Sequence, residues 1–126
     1  MAYAHYLNNP SRKIVNDSAV RAISIAIGED WQKTYIGLAI QGFFLHDMPS
    51  SSAVYSSFLA TNGFKCFTIS KDYQEDYTVD DFILNHPKGI YVLSCDGYLV
   101  TVINGTYYDY QESGCKTPQF YWKKED

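Results

Sequence analysis

The chain has 126 residues, of which 46% are hydrophobic and 19% charged, a composition typical of one globular domain and unlike that of an intrinsically disordered protein. Its net charge of −4 supplies no basic face for a phosphate backbone, so we expect no DNA or RNA partner. The sequence has no signal-peptide pattern and no run near the ~20 apolar residues of a membrane span. We therefore expect a cytoplasmic protein without a membrane partner.

The N-terminal segment differs from the rest of the chain. Residues 1–13 are polar, lack periodicity and contain an Asn-Pro turn signal, so they predict a loosely held arm. Residues 14–126 contain no linker, repeat or low-complexity run. They predict a single domain.

The first helix is predicted to begin at Asn16 or Asp17 as N-cap and to run to Ile27. Apolar residues recur there at helical spacing, and Gly28 supplies the left-handed conformation that ends many helices. Few polar residues interrupt the pattern, so this helix should be buried.

Three further helices are predicted, over residues 29–41, 51–61 and from 78 to the His86-Pro87 pair. We expect Gly42 to stop the second helix. Thr78 can form a capping box with Asp81 at the start of the fourth.

The remaining segments are rich in β-forming residues. A strand is predicted over residues 64–70, followed by an acidic surface loop over 71–77. Three further strands are separated by the Asp-Gly and Asn-Gly hairpin signals at 96–97 and 104–105. Aromatic residues 120–122 should fold back to cover the sheet. The predicted fold class is α+β, with N-terminal helices packed on a C-terminal antiparallel sheet.

The hairpin at Asn104-Gly105 predicts a register. A two-residue turn pairs Ile103 with Thr106 and places Tyr98, Asp109 and Gln111 on one face of the sheet. Tyr98 and Asp109 are then diagonal neighbours, within reach of a long side chain.

The cysteines give no sign of a metal site. Cys66, Cys95 and Cys115 are widely spaced and form no CxxC pair, which argues against a disulfide framework and against zinc. We expect Cys66 and Cys95, in predicted strands, to be buried and Cys115 to be exposed. We expect no metal and no cofactor.

Several segments together carry a resemblance. They are, in chain order, "NDSAVRAISIAIGEDW", "MPSSSAVY", "LATNGFK" and "HPKGIYVLSCDGYLVTVINGTYYDYQES". In these four segments the chain resembles small phage and prophage proteins with a papain-like cysteine peptidase fold. That family has Asn-Asp-Cys before its first helix, then a His at a strand start, a Gly turn and a Tyr-Asp pair. The resemblance covers residues 14–122 and implies a papain-like α+β fold. In this fold a nucleophile at a helix N-terminus faces a base and its orienting carboxylate on antiparallel strands.

Carried over by position, the family's Cys corresponds to Ser18, its His to Tyr98 and its carboxylate to Asp109. A tyrosine has an ordinary pKa near ~10 and stays protonated at neutral pH, so it cannot act as a general base for serine. The resemblance thus implies a catalytically inactive member. Two alternatives stay open: Asp17 or Ser18 as a plain helix cap, and a live hydrolase that uses Ser18 with another base.

We therefore expect a protein that acts by binding. The resemblance implies a host-takeover or anti-defence inhibitor, which binds a host defence protein or sequesters a small nucleotide signal. A phage structural or assembly protein is a further alternative, and a homo-oligomer is left open. Tyr and Trp are enriched in binding hot spots. The candidate binding residues are Asn16, Ser18, Tyr98, Asp109, Gln111 and Trp122.

Overall fold

A computed structural model describes residues 3–70 and 76–125. Within these ranges the chain forms helices packed against a mixed six-stranded sheet, which confirms the α+β class. Most of the predicted acidic loop, residues 71–75, lies outside the described residues.

The helices follow the predicted order: α1 (Ser18–Ile27), α2 (Trp31–Leu45), α3 (Ser52–Thr61) and α4 (Val79–Asn85). Gly28 ends α1 in the left-handed conformation, as predicted. The Ser51 side chain accepts a hydrogen bond from the Val54 N–H at the start of α3, and Thr78 forms the predicted capping box at the start of α4. Local capping chemistry therefore sets most of these helix boundaries.

Gly42 does not stop α2, contrary to the prediction. The helix continues to Leu45 and ends at His46, whose backbone is left-handed. Gly42 is needed for another reason: a Cβ atom at this position would lie 2.6 Å from the Asp47 carbonyl oxygen. The chain folds back against the last turn of α2, and only glycine leaves room for it.

The strands are β1 (Tyr3–His5), β2 (Phe64–Thr68), β3 (Ile90–Cys95), β4 (Tyr98–Ile103), β5 (Thr106–Asp109) and β6 (Phe120–Lys124). They form one sheet in the order β1-β5-β4-β3-β6-β2. The predicted meander of β3, β4 and β5 is confirmed, and Ile103 pairs with Thr106 as the hairpin argument required. Both two-residue turns have positive φ at each central residue, which is the conformation of type I′ hairpins.

Two terminal segments differ from their predictions. Residues 1–13 contain β1, which pairs in parallel with β5 and packs the Tyr3 ring 5.2 Å from that of Tyr107, so this part of the arm is held by the sheet. Residues 120–122 do not cover the sheet; they enter it as β6, between β3 and β2. Both strands depend on partners distant in sequence, which local periodicity does not reveal.

Apolar side chains pack on both faces of the sheet. One core cluster joins α1, α2 and α3 to Val92, Leu99 and Trp122. The other joins α4 to Leu93, Val100 and neighbouring residues. Arg21 and Ser24 of α1 are buried with its apolar residues, as expected for a buried helix.

We expect Gly42→Ala to lower the free energy of unfolding by about 1–3 kcal/mol, because the new Cβ would overlap backbone that cannot easily move. In an unobstructed helix the same substitution stabilises by about 1 kcal/mol. Urea unfolding measures the change, with Ala53→Gly at an exposed position of α3 as a control that reports helix propensity alone. A Gly42→Ala variant as stable as the parent protein would contradict the close contact.

Candidate functional site

Ser18 is the first residue of α1, and its side chain is buried against the start of β4. The backbone N–H of Leu99 donates a hydrogen bond to Ser18 Oγ over 3.2 Å. The hydroxyl thus ties the helix to the sheet and still has a proton to donate.

Asp17 occupies the N-cap position of α1, but its side chain does not cap the helix. One carboxylate oxygen pairs with Arg21, one turn later, and the other accepts a 2.9 Å hydrogen bond from the indole N–H of Trp31. The capping interpretation therefore fails for the Asp17 side chain, because the ion pair and the indole hold the carboxylate elsewhere. The first-turn N–H groups of α1 have no acceptor within the helix.

A pocket of about 430 Å³ lies against this helix end. The Trp31 and Tyr35 rings stack with centroids 5.3 Å apart beside it. Within the described part of the chain its lining includes no Lys, Arg or His. The lining residues are Val15, Asn16, Asp17, Ser18, Ala19, Val20, Trp31, Tyr35, Met48, Pro49, Ser50 and Gly97.

The predicted contact between Tyr98 and Asp109 is confirmed. The Tyr98 hydroxyl lies 2.8 Å from each carboxylate oxygen of Asp109, a side chain that is only 1% exposed. Burial, and then the hydrogen bond to the carboxylate, raise the pKa of Tyr98 above its ordinary value. The phenol is therefore a stable neutral donor and an even poorer base than an ordinary tyrosine.

Arg21 connects these two regions, and sequence reasoning missed its role. Its Nη2 donates to the Tyr98 hydroxyl over 3.0 Å and lies 3.3 Å from an Asp109 oxygen, while Nη1 pairs with Asp17. One buried guanidinium thus lies between two carboxylates. The Asp17-x-x-x-Arg21 spacing, which places both side chains on one helix face, was the available signal.

Two other predicted binding residues have different surroundings. Gln111 is exposed, and its side-chain amide lies 3.4 Å from the Tyr98 hydroxyl. Trp122 is 4% exposed and packs edge-on against Tyr55, so its main contacts are with the core. It also borders a second pocket of about 470 Å³.

Five of the six candidate residues thus form two groups rather than one cleft, and Trp122 belongs to neither group. Asn16 and Ser18 line the pocket, whereas Tyr98, Asp109 and Gln111 form a hydrogen-bonded group outside its lining. Leu99 packs in the core cluster that contains α1, and its neighbour Tyr98 packs against the cluster on the other face. Alternation along β4 thus places the side chains of Leu99 and Tyr98 on opposite faces of the sheet.

None of the three histidines, all of which lie in the described ranges, lines the pocket beside Ser18. His5 is in β1, and His46 and His86 follow the ends of α2 and α4, where His86 stacks on Phe82 with ring centroids 3.9 Å apart. Among the described residues, no three His, Cys, Asp or Glu side chains group together to hold a metal ion. Cys95 is buried and Cys115 exposed, as predicted, but Cys66 is exposed because it lies on edge strand β2.

No match to the chain was found among models of protein families, curated proteins or solved structures. The resemblance to phage papain-like proteins therefore stays a prediction from its motifs. None of the helices in the described ranges is long and apolar enough to cross a membrane.

Arg21→Met should lower the free energy of unfolding by about 3–5 kcal/mol, because two buried carboxylates would lose their shared cation. Chemical denaturation measures the loss. Lys88→Met is the matched control, since Lys88 is exposed, and it should change the free energy of unfolding by about 0.5 kcal/mol or less. Adding Asp17→Asn to Arg21→Met should recover part of the loss. If Arg21→Met and the control lysine variant lowered the free energy of unfolding by the same amount, the proposed role of the Arg21 network would be refuted.

Tyr98→Phe should lower stability at pH 7 by about 1.5–3 kcal/mol, the usual contribution of a hydrogen bond to a charged group. Because the pKa of Tyr98 is raised on folding, above pH ~10 the unfolded chain loses the phenolic proton before the folded chain does. The free energy of unfolding of the parent protein then falls, and the difference in stability between the parent protein and Tyr98→Phe becomes smaller as the pH rises. Unfolding curves from pH 7 to alkaline pH test this prediction, with Tyr35→Phe at an exposed position as the control. A stability difference that stays constant over this pH range would contradict the prediction.

Proposed function

We propose that the chain is a catalytically inactive, papain-like protein of phage origin that binds a small nucleotide in the pocket beside Ser18. The resemblance assigns it to host takeover or anti-defence, through sequestration of a nucleotide signal. The observation that carries the binding proposal is the uncapped N-terminus of α1, which opens into this pocket.

The first turn of α1 supplies the polar half of the site. The N–H groups of Ser18, Ala19 and Val20 have no acceptor within the helix, and all three residues line the pocket. A helix N-terminus with free N–H groups favours an anionic oxygen, because the N–H groups and the helix dipole act together. The Ser18 hydroxyl adds a donor. Together these groups suit one phosphate.

The stacked rings of Trp31 and Tyr35 supply the apolar half. Tyr35 is half exposed, so a planar base can reach its face. Stacking on an aromatic ring contributes about 1–3 kcal/mol per base. Among the described residues the lining includes no Lys or Arg but does include Asp17, so a ligand with one phosphate fits better than a triphosphate.

Inactivity is supported by the surroundings of Ser18. Its hydroxyl bonds to the Leu99 amide, and the nearest carboxylate along the chain, Asp17, already accepts bonds from Arg21 and Trp31. Tyr98 is held as a neutral donor by Asp109. A serine needs a base to remove its proton, and no group in this lining is free to do so.

The papain-like assignment is supported by one topological feature. The N-terminus of a buried helix, α1, abuts the first residues of β4 in a largely antiparallel sheet that follows it in the chain. This order resembles the placement of nucleophile and base strands in papain-like peptidases.

Isothermal titration with AMP, GMP, CMP and UMP tests the binding proposal. We expect at least one to bind, and Tyr35→Ala to weaken its affinity about tenfold or more through lost stacking. Tyr6→Ala is the matched control, because Tyr6 is similarly exposed but stacks edge-on against Tyr108 away from the pocket. The bound nucleotide's nucleoside should bind more weakly, since it lacks the phosphate. The proposal fails if none of the monophosphates binds.

A live hydrolase is the competing function, favoured by the same uncapped N–H groups, which would suit an oxyanion. Treatment with a fluorophosphonate probe separates the two. We expect no labelling of the parent protein above that of Ser18→Ala. Labelling that depends on Ser18 would overturn the proposed inactivity.

A further inference from the structure

α2 carries apolar residues on the side that faces away from the core. Its buried side consists of Thr34, Leu38 and Gly42. Ile36, Ile40, Phe43 and Phe44 recur at helical spacing on the opposite side, and Leu45 and Met48 extend this surface past the helix end. We call these six residues the α2 apolar surface. Their exposed fractions range from 45% for Leu45 to 73% for Phe43.

The α2 apolar surface is large for a monomer. For side chains of this size, the exposed fractions correspond to roughly 700–800 Å² of accessible surface, whereas the largest apolar patch of a typical monomer is about 300–600 Å². A standard protein interface buries about 800 Å² on each partner. The α2 apolar surface therefore has the area of one side of a stable dimer interface.

We propose that a second copy of this chain covers the α2 apolar surface, with the two α2 helices packed antiparallel about a two-fold axis at Ile40. A two-fold interface must be complementary to itself. With Ile40 on the axis, Ile36 of one copy lies opposite Phe44 of the other. The isoleucine end of each α2 apolar surface thus faces the larger phenylalanine end of the other copy's surface, which allows close packing.

The charged residues next to the α2 apolar surface agree with this arrangement. Lys33 lies on α2 one turn before Ile36, and Asp47 follows the C-terminal end of the helix; both are exposed. The same two-fold axis brings Lys33 of each copy toward Asp47 of the other, so two opposite-charge pairs border the interface. Antiparallel helices also place opposite dipole ends together.

A lipid surface fits the α2 apolar surface less well. Interfacial helices combine an apolar face with a polar face rich in Lys and Arg. Lys33 is the sole basic residue within α2, and the whole chain has a net charge of −4, which an anionic membrane would repel.

Sedimentation equilibrium of the full chain over a roughly hundredfold range of micromolar concentrations tests the proposal. We expect a species of twice the chain mass that dissociates on dilution. Ile40→Glu should raise the dimer Kd at least about tenfold, because it buries two facing carboxylates. Leu84→Glu, at an exposed position of α4, is the matched control and should leave the Kd unchanged.

Charge exchange tests the antiparallel geometry. Lys33→Glu alone and Asp47→Lys alone should each weaken the dimer by several-fold, and the double variant should restore it. A chain that stays monomeric throughout, or a dimer insensitive to Ile40→Glu, overturns the proposal; so does a monomer that binds phosphatidylserine vesicles through this surface. Dimerisation and nucleotide binding are tested at different residues: Lys33, Ile40 and Asp47 are absent from the pocket lining, although Met48 belongs to both surfaces.

Discussion

The buried guanidinium of Arg21 is the interaction on which the site depends. It lies between the carboxylates of Asp17 and Asp109, and each carboxylate has a further donor, the Trp31 indole for Asp17 and the Ser113 hydroxyl for Asp109. Charges that are taken out of water need such complete pairing, because removal of one partner leaves the others uncompensated. The network therefore fixes the end of α1 relative to β4 and β5.

The same network explains why no side chain caps the N-terminus of α1. A side chain at the N-cap usually accepts from the first-turn N–H groups. The Asp17 carboxylate instead binds Arg21 and Trp31, so the N–H groups of the first turn have no side-chain cap, and the residues of that turn line the pocket. The Trp31 indole, held by Asp17, is positioned beside that pocket and stacks on Tyr35. The buried ion pair of Asp17 and Arg21 thus helps to form both halves of the proposed nucleotide site, the uncapped N-terminus of α1 and the Trp31–Tyr35 stack.

The two proposals use different parts of the helical layer. The pocket lies between α1 and the first turns of α2, while the α2 apolar surface lies on the outer side of that helix. Met48 belongs to both, so a second copy would sit next to the mouth of the pocket. A dimer would therefore place two pockets on one assembly, each bordered by the interface.

Local sequence patterns were enough to predict most helices and strands and one long-range contact. Helical periodicity, the Thr78 capping box and the two hairpin turns each act within a few residues, and the Asn-Gly turn also fixed the register that joins Tyr98 to Asp109. The folded structure was needed to show where β1 and β6 pair, why Gly42 lies inside α2, and that Arg21 connects α1 to Asp109. It also placed Ser18 in the pocket lining and Tyr98 in a hydrogen-bonded group outside that lining. These features arise from partners distant along the chain, whose contacts no local pattern encodes.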